Sequence, residues 1–263
     1  MAREPRPATA LALLVLLTGG ALLAQDAAIF DVVAMRDVKT RDLVTSARTA
    51  VFGGPGGVAL LRSLRFKGTS HFPAEDGSMV SAAVEIRVML PDHYLRIDTG
   101  SFGKRMSGFA GSTTLRLIEG PTGVPQLDPT DPRTALANDR AQLTRLMLGA
   151  AFYSSPAIPL ALQTRDTPRE MPGPSDPLGV DATGDNGFAA RVVLDGKSRM
   201  PARVVYWGVD RSLLTMTLTE RRSTGGMKAP FRIVTTAGDR VVDELAFDEV
   251  AVNPRMTKAD FAR

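Results

Sequence analysis

The sequence predicts a mainly β protein of the α+β kind, an antiparallel sheet interrupted by two helices. Three observations carry this. Over residues 213–261 apolar and polar residues alternate: Leu214, Met216 and Leu218 interleave with Thr215, Thr217 and Thr219, and Phe231, Ile233 and Thr235 follow a Gly225-Gly226 turn. A further run, 241–252, follows Ala237-Gly238. Period-two alternation is the mark of a strand with one buried face. The same period governs 64–117, and two stretches, 41–51 and 139–151, switch to helical spacing.

At the N-terminus, Arg3 and Arg6 precede an apolar run at 8–17, and Ala21-Leu22-Leu23-Ala24 ends in a small residue before Gln25-Asp26. This is the pattern of a cleavable secretory signal over residues 1–24. Thr18-Gly19-Gly20 interrupts the apolar run, which falls short of the roughly 20 residues a spanning helix needs. No twin-arginine pair precedes it, so the general secretory route is expected. The mature chain, 25–263, is expected to form one domain in the periplasm or outside the cell. The chain has no cysteine. An ordinary core must therefore hold the fold without disulfides, and no cysteine is present for lipid anchoring.

The first helix is expected over 41–51, with Leu43, Val44, Ala47, Ala50 and Val51 inward, Arg41, Thr45 and Arg48 outward, Thr40 as its cap and Gly53-Gly54 as its stop. A short helical segment follows at 57–63. Strand alternates then run through Leu64 and Phe66; Ala82, Val84, Ile86, Val88 and Leu90; Leu95 and Ile97; Leu115 and Leu117. Asp76-Gly77 and Pro91-Asp92 supply turns. Irregular Pro-rich loops are expected near 119–134 and 164–177. Between them, Leu143, Leu146, Met147 and Ala150 face one way on a helix over 139–151, with Asp139 and Gln142 as a capping box. Sheet structure resumes near Ala190.

The residues that carry chemistry are sparse. The only histidines, His71 and His93, lack ligand spacing and read as surface or strand-edge residues; no metal site and no cofactor are expected. There is no thiol nucleophile and no Gly-x-Ser-x-Gly, and Ser107 reads as a turn serine. The run 53–57 follows a helix and lacks Gly-Lys-Ser or Gly-Lys-Thr, so it reads as a helix stop, not a phosphate cradle. Asp243-Glu244 and Asp248-Glu249 sit on a strand, where only Asp243 and Glu249 would share a face, roughly 20 Å apart. That is too far for paired glycosidase carboxylates, and solvated faces are expected. The formal charge is +4. It falls to +3 without residues 1–24, and no basic run is interleaved with aromatics, so nucleic acid is not an expected partner. The chain is not expected to be an enzyme.

Several short elements resemble the periplasmic lipoprotein-carrier-like (LolA/LolB-like) superfamily. They are the helix ending in Gly-Gly, Leu64-Arg65-Phe66-Lys67-Gly68-Thr69, and Leu90-Pro91-Asp92-His93-Tyr94-Leu95-Arg96. Glu220-Arg221-Arg222, Lys228-Ala229-Pro230-Phe231-Arg232-Ile233, the segment from Phe247 to Asn253 and Phe261 complete the likeness, which spans 39–261. One departure is that Gly108-Phe109-Ala110-Gly111 is followed by Ser112-Thr113-Thr114-Leu115, where many members have an aromatic. The resemblance implies a strongly curved antiparallel sheet, a half-open β-barrel with helices as a lid over an apolar concave face that receives acyl chains. Lipid or lipoprotein acyl chains are then the expected partners, with peripheral membrane contact at most, a monomeric state, and room for an envelope protein partner.

The inward alternates Phe66, Val84, Ile86, Val88, Leu95 and Ile97 are the expected cavity lining, with Leu43, Ala47, Leu143 and Met147 as lid contacts. A second reading has the same side chains packed solidly in a non-catalytic structural or interaction module. Sequence alone separates the two only by how much side-chain volume fills the concave face.

Overall fold

A computed structural model describes residues 35, 37–54, 56–74, 76–126, 128–153, 159–164 and 176–262. The expected signal sequence and most of the second Pro-rich loop lie outside the described residues. Among the described residues, thirteen strands form one antiparallel sheet that is not closed. In chain order they are β1 (Ser63–Pro73), β2 (Met79–Met89), β3 (His93–Gly100), β4 (Gly103–Ala110), β5 (Thr113–Glu119), β6 (Pro125–Gln126) and β7 (Leu160–Gln163). Then follow β8 (Gly179–Gly184), β9 (Ala189–Leu194), β10 (Pro201–Trp207), β11 (Leu213–Thr224), β12 (Met227–Ala237) and β13 (Arg240–Val252). The spatial order is β6-β5-β4-β3-β2-β1-β13-β12-β11-β10-β9-β8-β7, so β1 and β13 sit at the middle and join the two halves of the chain.

Helix α1 (Val38–Phe52) begins three residues before the expected start. Asp37, not Thr40, is its cap: the Thr40 amide donates to Asp37 Oδ1 at 2.7 Å. Thr40 instead ties the helix to the end of β7, its hydroxyl accepting from the Thr164 amide at 2.6 Å. Gly53 ends the helix in the left-handed region, φ 74°, as Gly53-Gly54 predicted. Arg48 does not face outward. It is buried, with Nε donating to the Phe152 carbonyl at 3.1 Å, so its guanidinium joins α1 to the end of the second helix.

That second helix, α2 (Pro132–Ala151), starts seven residues before the expected boundary. Asp131 caps it through the Thr134 amide at 3.0 Å and Pro132 occupies the first turn, where a missing N–H costs nothing. The Asp139-Gln142 capping box is not used; Asp139 lies mid-helix and is buried. At the far end, Arg221 of β11 donates to the carbonyls of Gly149 at 2.9 Å and Ala150 at 3.3 Å. A cation at a helix C-terminus satisfies carbonyls that have no partner within the helix. Burial pulls the Arg221 pKa down to about 10.

The position of α2 demonstrates the curvature. Asp139 meets Arg116 of β5, whereas Gly149 lies against Leu218 of β11, where a methyl on Gly149 would come within 2.8 Å of Leu218 Cδ2. These two points are about 15 Å apart along the helix. Seven strand spacings separate β5 from β11, roughly 34 Å in a flat sheet. One short helix segment can touch both only if the sheet wraps around it. A β-bulge at Lys67/Gly68 helps the central strands bend, and at Gly68 a Cβ would run into the Ala246 carbonyl oxygen.

Other departures from expectation have local causes. Strands β7 and β8 precede Ala190 and were hidden by the flanking prolines. Ser107 lies within β4, opposite Arg96, not in a turn. His93 is buried, edge-on to Phe261 at 5.2 Å, with Nδ1 2.8 Å from Asp92 Oδ1. The bulge in β13 opposite Lys67/Gly68 changes the strand's phase, so Asp243 points to the concave side while Glu249 pairs outside with Arg65 at 2.7 Å.

Candidate functional site

The concave face splits into a sealed end and an open end along the same strands. At the sealed end, Leu64, Phe66, Val88, Phe231 and Val250 lie in the main core with Val44, Ala47 and Val51 of α1 and Leu143, Met147 and Leu148 of α2. Phe66 and Phe247 rings approach at 5.0 Å. Most of these side chains are almost fully inaccessible, so this end is filled.

The other end holds a cavity of about 960 Å³ beneath the first turns of α2. Its apolar wall includes Ile86, Leu136, Leu146, Phe188, Met216, Ile233 and Leu245. Its floor is polar. Pairing places Tyr94, Arg96 and Asp98 opposite Val88, Ile86 and Val84, so these three share the concave side. Arg96 donates to Asp98 from Nε at 2.8 Å and to Asp243 from Nη1 at 2.9 Å, and the Ser70 hydroxyl donates to Asp98 Oδ1 at 2.7 Å. The two carboxylates hold the Arg96 pKa above its ordinary value despite its burial. Arg145 of α2 stacks over the Tyr206 ring at 4.2 Å. At the mouth, Trp207 is 45% exposed and Val209 is 88% exposed.

Asp139 fixes the helix over this cavity from outside its lining. Arg116 Nη2 lies 3.0 Å from its carboxylate, yet burial pushes the Asp139 pKa up to about 6, because one guanidinium shared with Asp128 at 4.0 Å does not replace its lost hydration.

Of the ten expected site residues, Ile86 lines the cavity. Phe66, Val84, Val88, Ala47, Leu143 and Met147 are packed in the main core, with Leu43 half-buried against it. Leu95 and Ile97 are on the opposite face. They form a second cluster with Met106 and Leu115, covered by the 3-10 turn Lys258–Phe261, whose Phe261 is 1% exposed. The inward residues of β3 are the polar alternates that hydrophobicity alone had assigned outward. The signal was present in Tyr94, Arg96 and Asp98, at the same spacing as Leu95 and Ile97.

Among the described residues, no group of three or more His, Asp or Glu residues could hold a metal ion, and no helix is long and apolar enough to cross a membrane. No protein-family model matches the chain, and no curated protein matches it in sequence. Solved structures do match. A LolA superfamily protein of Nitrosomonas europaea superposes with a TM-score of 0.52 at 12% identity, covering 86% of this chain and 99% of its own. A DUF1329 family protein of Desulfovibrio piger gives a TM-score of 0.50 at 6% identity, covering 85% of this chain and 97% of its own. The chain has the LolA-type fold, an open, curved antiparallel sheet with two helices among the described residues.

Proposed function

We propose that this LolA-type protein is a non-catalytic carrier that holds the acyl chain of a lipid or lipoprotein in the cavity beneath α2. The observation that carries this reading is the cavity itself: about 960 Å³, beside a concave face whose other end is filled. That volume lies in the range of about 300–1,000 Å³ typical of small-molecule sites. An acyl chain burying about twelve methylenes gains roughly 10 kcal/mol before immobilisation costs, which leaves micromolar binding within reach. Ile86, Leu146, Met216 and Ile233 would contact the chain. In this reading the expected signal over 1–24 is removed, 25–263 works as one monomeric domain in the periplasm or outside the cell, and membrane contact is peripheral.

Two linked measurements test it. Native mass spectrometry of protein released by osmotic shock should show a co-purified lipid mass. After delipidation, the protein should bind a fluorescent fatty acid saturably at micromolar concentration or below. A cooperatively folded protein that does neither would leave the structural or interaction module as the better account.

A further inference from the structure

Two largely buried arginines of the cavity, Arg96 and Arg145, differ in what surrounds them. Arg96 meets two carboxylates, Asp98 and Asp243, so this triad carries a net negative charge. Arg145 has no carboxylate within ion-pair distance among the described residues. Its described partner is the face of the Tyr206 ring, 4.2 Å from the guanidinium carbon. Burial draws its pKa down, as expected of a cation without a counter-ion.

Tyr94 supplies an independent observation. Its side chain is fully buried and lines the cavity, and its hydroxyl has no hydrogen-bond partner. A buried hydroxyl left unsatisfied costs about 1–3 kcal/mol, so it marks a place where a ligand acceptor is favourable. A residue with a guanidinium lacking an anion and one with a phenol lacking an acceptor thus line one cavity. The apolar wall runs from them through Leu146, Ile86 and Ile233.

We infer that Arg145 and Tyr94 receive the carboxylate of a long-chain monocarboxylic acid, whose hydrocarbon tail lies along the apolar wall. This rests on the carrier reading and narrows it: the cargo is a free single-chain amphiphile with one negative charge, not a neutral acylated peptide. One guanidinium fork and one phenol match a carboxylate's two oxygens. Arg96 is already neutralised by Asp98 and Asp243, so it offers no free charge to the headgroup.

The test compares palmitate, hexadecanol and hexadecyl phosphate as competitors of a fluorescent fatty-acid probe on delipidated protein at pH 8. Wild type is expected to bind palmitate at least tenfold more tightly than hexadecanol, and hexadecyl phosphate no more tightly than palmitate. Arg145→Gln should erase the preference for the acid while leaving the affinity for hexadecanol within twofold, and Arg145→Lys should restore part of it. Tyr94→Phe, which removes only the hydroxyl, should weaken palmitate several-fold, and thermal melts confirm that each variant is folded. Equal wild-type affinity for acid and alcohol, a preference that survives Arg145→Gln, or a tenfold preference for hexadecyl phosphate would overturn the assignment while leaving the carrier reading intact. Failure of all three ligands to bind would instead remove the carrier reading.

Discussion

The sealed and open ends of the concave face are built on the same strands yet follow different rules. On β1 the inward positions begin with Leu64 and Phe66 and finish with Ser70 and Phe72; on β13 they run from Asp243 to Val250. At the sealed end the inward side chains share one apolar core with residues of α1 and α2. At the open end the inward positions include Tyr94, Arg96, Asp98, Thr235 and Asp243, of which Arg96, Asp98 and Asp243 hold one another by ion pairs and hydrogen bonds. Apolar side chains collapse until no space remains, whereas a cross-linked polar floor fixes distances and can leave a cavity above it.

The largest expected effect lies at the sealed end. Phe66→Ala should lower stability by about 3–5 kcal/mol, as a lost core aromatic does, seen in a denaturant or thermal melt. The fraction that remains folded should keep its affinity for the fluorescent fatty acid. A small stability loss with a large affinity loss would place the binding site at the sealed end instead.

At the open end, Asp243→Ala removes one of two carboxylates from the buried Arg96 and should cost about 2–3 kcal/mol. Part of the penalty should return in the double variant Asp243→Ala/Arg96→Met, because the uncompensated cation is then gone. Additive losses in that double-mutant cycle would mean that the pair is not coupled.

Asp139 adds a pH signature to the attachment of α2. Its folded pKa, about 6, exceeds the ordinary 3.8. Between these values the folded chain holds a proton that the unfolded chain has released, so this group makes stability fall as pH rises from about 4 to about 6. The expected contribution is at most about 3 kcal/mol, and Asp139→Asn should flatten it in melts taken across that range. A wild-type and variant difference that is constant with pH would contradict the assignment.

The smallest expected effect is at the rim. Trp207→Ser should alter stability by no more than about 0.5 kcal/mol, since the side chain is nearly half exposed and packs little. A large loss on melting would show that the rim supports the fold.

Much of the fold was legible in the sequence because alternation reports which residues are buried. Strands β11, β12 and β13, the turn at Gly225-Gly226 and the stop of α1 at Gly53 all lie where pattern and turn chemistry put them. The start of α2 was readable too, in Asp131-Pro132, but its first turns expose polar residues to the cavity, and the apolar stripe begins only near Leu143. The resemblance to the lipoprotein-carrier-like superfamily anticipated the curved sheet. Two of its short elements now have structural roles: Arg221 ties down the end of α2, and Asn253 accepts from the Arg62 amide at 2.7 Å. The cavity lining was much less legible. Choosing apolar alternates selects the filled end by construction, and on β3 it selected Leu95 and Ile97, which are buried against Phe261 on the opposite face. No local pattern reveals that a sheet has two buried faces when the tail covering one of them arrives from the far end of the chain.

In the carrier reading the acyl chain occupies the cavity beneath the first turns of α2, and a substitution at Ala141 tests this directly. Ala141 lies one helical turn before Arg145 and lines the cavity. Binding of the fluorescent fatty acid to Ala141→Trp should be measured beside its thermal melt. The indole is expected to fill the space, with binding weakened at least tenfold and the melt little changed. Wild-type affinity in a folded Ala141→Trp protein would contradict it.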